Sequence, residues 1–175
     1  MTVRTGLAFG AIALAVVVVL GIGIADPEDA LAAQRGGRGG PPAPCGPAGD
    51  LSADLGRNVA ADSRCFELRM YTADPTRDGV DNFAGGIDEL HQRFREEEVA
   101  LFEKHGAEII AVWQDLGEPR RLIWMLAYRD RAHREEVWAA FSADPAWNAL
   151  RLKYNVPLEA PSTFMMSATD YSKLK

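Results

Sequence analysis

The stretch Cys65-Phe66-Glu67-Leu68-Arg69-Met70-Tyr71-Thr72-Ala73 decides the fold. Phe66, Leu68 and Met70 are apolar, and Glu67, Arg69 and Tyr71 are polar, so the two sets lie on opposite faces of a β-strand. One face is expected to pack on helices. The other carries an acid, a base and a phenol.

Working outward from that strand, Asp74-Pro75-Thr76-Arg77-Asp78-Gly79 is a turn cluster. A long helix follows, with an apolar stripe through Phe83, Ile87, Leu90, Phe94, Leu101 and Phe102, and it stops at His105-Gly106. Gly85-Gly86 weakens its first turn. Ala107 to Trp113 reads as a second strand, turned by Asp115-Leu116-Gly117-Glu118-Pro119 into a third, Leu122 to Tyr128. Asp130 is placed to cap the next helix, whose inner face is Val137, Trp138 and Phe141. Asp144-Pro145 opens another, with Asp at the cap and Pro at the first helical position. Ser162 to Ala168 is the last strand.

Strand, helix, hairpin, helices, strand is the split-βαβ, ferredoxin-like α+β arrangement. Helices cover one sheet face only, yet the third and last strands are apolar on both. The expected cover is the same sheet of a second chain, giving a homodimer with a barrel-like interior, a dimeric α+β barrel.

The chain of 175 residues holds one ordinary domain, expected over 65–175, plus an extension. Its 47% hydrophobic and 25% charged content is that of a globular protein. A net charge of −6 and a pI near 5.1 exclude nucleic acid as a natural partner, because phosphate binding needs a basic footprint. Arg4 followed by an uncharged run over 6–25 has the layout of an export signal. Ala30-Leu31-Ala32 offers a cleavage site, so residues 1–32 are read as a signal peptide or, if uncleaved, an N-terminal anchor. Either way the domain is exported, to the cell envelope, the periplasm or the medium, and touches a membrane only through that segment. Residues 33–64 are read as a tether, flexible where Arg35-Gly36-Gly37-Arg38-Gly39-Gly40-Pro41-Pro42 leaves little apolar surface to bury. Cys45 and Cys65 are expected to pair in an oxidising compartment; two free thiols are the alternative.

Several residues together resemble the NIPSNAP family. They are Phe66-Glu67-Leu68-Arg69-Met70-Tyr71, Glu103-Lys104-His105-Gly106, Trp113, Tyr128-Arg129-Asp130 and Asp144-Pro145-Ala146-Trp147. The resemblance runs from about Cys65 to Lys175. It implies dimeric α+β barrels of ferredoxin-like subunits and says little about activity. The family's mitochondrial members are linked to vesicle transport and mitochondrial quality control. This chain differs in its export signal and single domain copy, so those roles are not carried over.

Candidate site residues follow from the first strand. With Phe66, Leu68 and Met70 toward the helices, Glu67, Arg69 and Tyr71 would face the space between sheets. There Arg69 would bind an anionic or carbonyl-bearing ligand, Tyr71 would donate a hydrogen bond and Glu67 would act as base. The alternative is a Glu67–Arg69 pairing that sets the dimer register. His91 lies beside the helical stripe and is within reach of a pocket. Glu98 is the member of Glu96-Glu97-Glu98 closest to the stripe, an acid whose pKa burial would raise. Trp124, with Trp113, Trp138 and Trp147, either lines an aromatic pocket or fills the core. His91, His105 and His133 form no zinc pattern, so no metal and no cofactor are assigned. No catalytic residue is assigned either. Two functions stand: an exported module binding a small molecule or an envelope protein, or a small-molecule enzyme, monooxygenase- or isomerase-like, with a pocket near Arg69 and Tyr71.

Overall fold

The computed structural model describes residues 43–175. The expected signal or anchor over 1–32, its apolar run at 6–25 and the start of the tether, 33–42, lie outside the described residues. Strand β1 (Cys65–Thr72) leads to helix α1 (Ile87–Arg93), which runs through a π-helical turn (Phe94–Glu98) into α2 (Val99–Lys104). Strands β2 (Glu108–Gln114) and β3 (Arg121–Tyr128) form a hairpin, followed by α3 (Arg131–Ala143), α4 (Pro145–Lys153) and β4 (Ser162–Ser167). The sheet order is β2-β3-β1-β4, with every neighbouring pair antiparallel. The fold is therefore mixed α+β around one four-stranded antiparallel sheet.

Local chemistry explains the boundaries. Asp130 accepts the His133 amide at 2.8 Å and starts α3, and Asp144 accepts the Ala146 amide at 2.8 Å, with Pro145 opening α4. Gly106 ends α2 with φ +100°, which lets the Gly106 and Ala107 amides turn back onto the carbonyls of Glu103 and Phe102. The stripe itself starts later than its apolar pattern. Phe83 sits ahead of α1, under the Arg77 guanidinium at 4.3 Å.

The helices cover one sheet face. Leu90, Phe94, Leu101 and Phe102 from the α1–α2 helix and Val137, Trp138, Phe141, Trp147 and Leu150 from α3 and α4 form one core with Tyr71, Leu122, Trp124 and Leu126. On the opposite face Phe66, Ala127 and Ala168 form a second, thin cluster with Ile110, Met125 and Met166 against it. None of the helices α1–α4 lies over that face, although Phe66 is buried beneath the Arg64 guanidinium, 5.3 Å from its ring, and Arg64 in turn bonds the Lys175 carbonyl. Its outer residues Trp113 and Phe164 are 45% and 50% exposed.

Residues 43–64 do not hang free, although their composition places them in the tether. Cys45 is bonded to Cys65. The Gly46 amide donates to Ser167 Oγ at 2.8 Å, the Ala60 amide to the Ala168 carbonyl at 2.9 Å, and the Ala168 amide to Ser63 Oγ at 2.7 Å. Val59 bridges Thr169 as a short antiparallel step. The disulfide and the backbone pairing to the end of β4 supply the order that apolar burial does not.

Candidate functional site

The first strand is oriented opposite to the expectation. Register places Glu67 beside Leu126, Arg69 beside Trp124 and Tyr71 beside Leu122, and all of these point under the helices. Phe66, Leu68 and Met70 lie beside Ala127, Met125 and Ile123 on the open face. Alternation separates two faces without saying which one the helices take. Here the helices bring polar partners, so the charged set goes inside.

Glu67 and Arg69 are both 0% exposed. Arg69 Nη1 donates to Glu67 Oε1 at 2.8 Å, and Arg69 Nε donates to Tyr71 Oη at 3.0 Å. From α3, Arg134 grips the same carboxylate with two nitrogens, Nε to Oε2 and Nη2 to Oε1, both at 2.9 Å. Tyr128 Oη donates to Oε2 at 3.0 Å, and Trp138 Nε1 lies 3.1 Å from Oε2 and 2.9 Å from Tyr128 Oη. The Trp138 ring lies under the Arg69 guanidinium at 4.4 Å.

Electrostatics follow from this packing. Burial alone would raise the Glu67 pKa, but the charges and hydrogen bonds of Arg69 and Arg134 outweigh it and hold the group at about 2. Burial and the adjacent Glu67 charge push the Tyr128 phenol well above its ordinary value, so it stays protonated and donates. A carboxylate this acidic, ringed by donors, is a poor proton acceptor near neutral pH. The arrangement ties α3 to β1 and β3. It does not equip Glu67 as a base.

Sequence reasoning missed Arg134 and the polar ends of Tyr128 and Trp138. A signal was there: Arg134, Val137, Trp138 and Phe141 share one helical stripe, so a charged residue sits on a buried face. Glu98 lies in the π-helical turn, almost fully buried, and accepts from Arg93 Nε at 2.8 Å. The Arg93 guanidinium in turn lies 5.3 Å from the Trp147 ring. Trp124 is fully buried between Tyr71, Phe94 and Phe102, with ring centroids 5.5, 5.1 and 5.2 Å away.

The helix–sheet interface therefore gathers Glu67, Arg69, Tyr71 and Trp124, while Glu98 pairs with Arg93 in the helical layer. His91 goes elsewhere and bonds Gln114 Oε1 at 2.8 Å, at the end of β2. His105 bonds Asp144 Oδ2 at 2.8 Å, and His133 Nδ1 accepts the Arg129 amide at 3.2 Å. Of the four tryptophans, Trp124, Trp138 and Trp147 are core, whereas Trp113 stands on the open face, because it pairs with Ile123 there. A groove of about 400 Å³ runs between Pro44, Cys45 and Asp50 and the start of α3 at Asp130, Arg131 and Ala132. Among the described residues no group of three or more His, Cys, Asp or Glu is set to hold a metal ion.

The sequence profile of the NIPSNAP family matches residues 66–173. No curated protein matches the chain. Among solved structures, a NIPSNAP family protein of unknown function from Agrobacterium tumefaciens is similar at 18% identity and a TM-score of 0.56, covering 67% of this chain and 99% of that one. A second from the same organism gives 22% identity and a TM-score of 0.53, covering 64% and 99%. An uncharacterized NIPSNAP domain protein from Burkholderia xenovorans gives 20% identity and a TM-score of 0.50, covering 62% and 97%. At these identities the likeness speaks to the fold.

Proposed function

The chain belongs to the NIPSNAP family, and we propose that it is an exported binding module of the cell envelope. Its subunit is ferredoxin-like and pairs sheet to sheet with a second copy into a dimeric α+β barrel. The assembled module holds a small molecule or an envelope protein without turning it over. The observation that carries this reading is the open sheet face. Phe66, Leu68, Met70, Ile110, Trp113, Ile123, Met125, Phe164 and Met166 share it, and none of the described helices α1–α4 lies over them. Four strands about 4.8 Å apart and about 20–25 Å long present roughly 400–500 Å² in projection. An apolar patch of that size is uncommon on a soluble monomer.

A second reading, an enzyme with a pocket near Arg69 and Tyr71, draws on one observation. Trp124 Nε1 is buried and has no hydrogen-bond partner among the described residues, and neither has Thr163 Oγ1. Both residues flank Arg69 in one row across the sheet. A buried donor without an acceptor is what a carbonyl-bearing ligand would complete. Native mass spectrometry of protein recovered from the envelope or secreted fraction of its host separates the readings. A dimer that stays bare until an envelope protein is added supports the module. A dimer carrying a reproducible small molecule that leaves chemically altered supports the enzyme.

A further inference from the structure

The proposed pairing across the open face has a chemical weakness built into it. The chain has five methionines. Met1 lies outside the described residues. Of the other four, Met70, Met125 and Met166 stand on the open face, each half-buried. Register makes them neighbours: Met125 lies beside Leu68, Met166 beside Phe66, and Met70 follows Leu68 on the same side of β1. Only Met165 turns the other way, packed against the core under the helices. Both cysteines are joined to each other and no free thiol is left. The thioethers are therefore the oxidisable sulfur of the described residues, and three of them sit on the surface proposed to pair, where a peroxide reaches them whenever the two subunits separate.

Resting on that sheet-to-sheet reading, we infer that peroxide oxidation of Met70, Met125 and Met166 opens the dimer, so that its assembly senses oxidants in the exported compartment. The step transfers one oxygen atom from a peroxide to each Sδ. The O–O bond breaks, an S=O bond forms, the sulfur is oxidised and the peroxide leaves as water or an alcohol. Each thioether becomes a polar sulfoxide whose oxygen needs a hydrogen-bond donor; Leu68 beside Met125 and Phe66 beside Met166 have none to give, while Met70 has Ser162 across the strand pair. Exposed on a free subunit the sulfoxide is hydrated. Pressed against a second sheet it is not, so separation is favoured.

The test treats the purified full-length chain with hydrogen peroxide, maps sulfoxides by peptide mass spectrometry and reads assembly by analytical ultracentrifugation. The expected result is sulfoxide at the three positions with a dimer dissociation constant raised by about a hundredfold or more. Methionine sulfoxide reductases of both stereospecificities should restore the dimer. The triple variant Met70→Leu, Met125→Leu, Met166→Leu keeps the volume of the face and should stay dimeric after the same treatment. Met165→Leu should dissociate as the parent does. Sulfoxide at all three positions with the dimer intact would overturn the inference, as would dissociation of the triple-leucine variant to the same degree. Oxidation confined to Met165 would overturn it too. An untreated chain that is already monomeric would refute the pairing itself, which is a different and recognisable failure.

Discussion

Glu67 stays ionised in the core because two guanidiniums and two aromatic donors converge on it, a condition met only with β1, β3 and α3 together. Glu67→Gln keeps the shape and removes the charge that Arg69 and Arg134 share. The expected loss is about 3–5 kcal/mol of unfolding free energy, read by urea denaturation. An unchanged midpoint would show that the cluster is not structural. The acid response has a definite sign. The folded-state pKa of about 2 lies below the ordinary 4.5, so the stabilisation is present above pH 4.5 and is lost as pH falls from there toward 2. Wild-type stability should fall across that window, and Glu67→Gln should flatten the fall. The Glu67–Arg69 pairing was legible in sequence, since residues two apart on a strand share a face. Its side of the sheet was not, because that depends on Arg134, Tyr128 and Trp138, residues 67, 61 and 71 positions away in sequence.

At the scale of elements, caps and stops were readable. Asp130, Asp144-Pro145 and Gly106 act within a few residues of themselves, so their chemistry is local. Gly106 has φ +100°, and a Cβ there would also meet His133 Nε2 at 3.1 Å. Gly106→Ala should cost about 1–3 kcal/mol in thermal or urea unfolding, and a neutral result would contradict the assigned backbone geometry. Composition misled over 43–64, because a disulfide and a few backbone bonds order a stretch that has little apolar surface. The Cys45–Cys65 link closes a loop of 20 residues. Cys45→Ala should remove about 3 kcal/mol in the chain-entropy view. Amides of 46–51 should then exchange faster in hydrogen-exchange mass spectrometry while β1 keeps its protection. Equal exchange in both proteins would mean that backbone pairing alone holds the segment. The π-helical turn was not legible: one extra residue in a turn leaves the apolar spacing almost unchanged, while Glu98 and Arg93 meet across it.

For the whole molecule, what one subunit leaves uncovered matters most. Its helices cover one sheet face, and the other keeps Trp113 and Phe164 in water with methionines between them. That both faces are apolar was visible in the β3 and β4 sequences, and the expectation of a second cover rests on the hydrophobic effect. Which residues form the open face was not visible, since it followed from the misplaced side of β1. Phe164→Glu puts a charge on the edge strand of the face, at an exposed position, without touching the core. The measurement to make first is the mass of the assembly by analytical ultracentrifugation at micromolar concentration, for the full-length chain and for Phe164→Glu, with far-UV circular dichroism as the check on folding. Trp113→Lys stands in if that variant misfolds. Twice the subunit mass for the parent and a folded single subunit for the variant is the expected result. A monomeric parent, or a variant that remains a dimer, would contradict pairing across the open sheet.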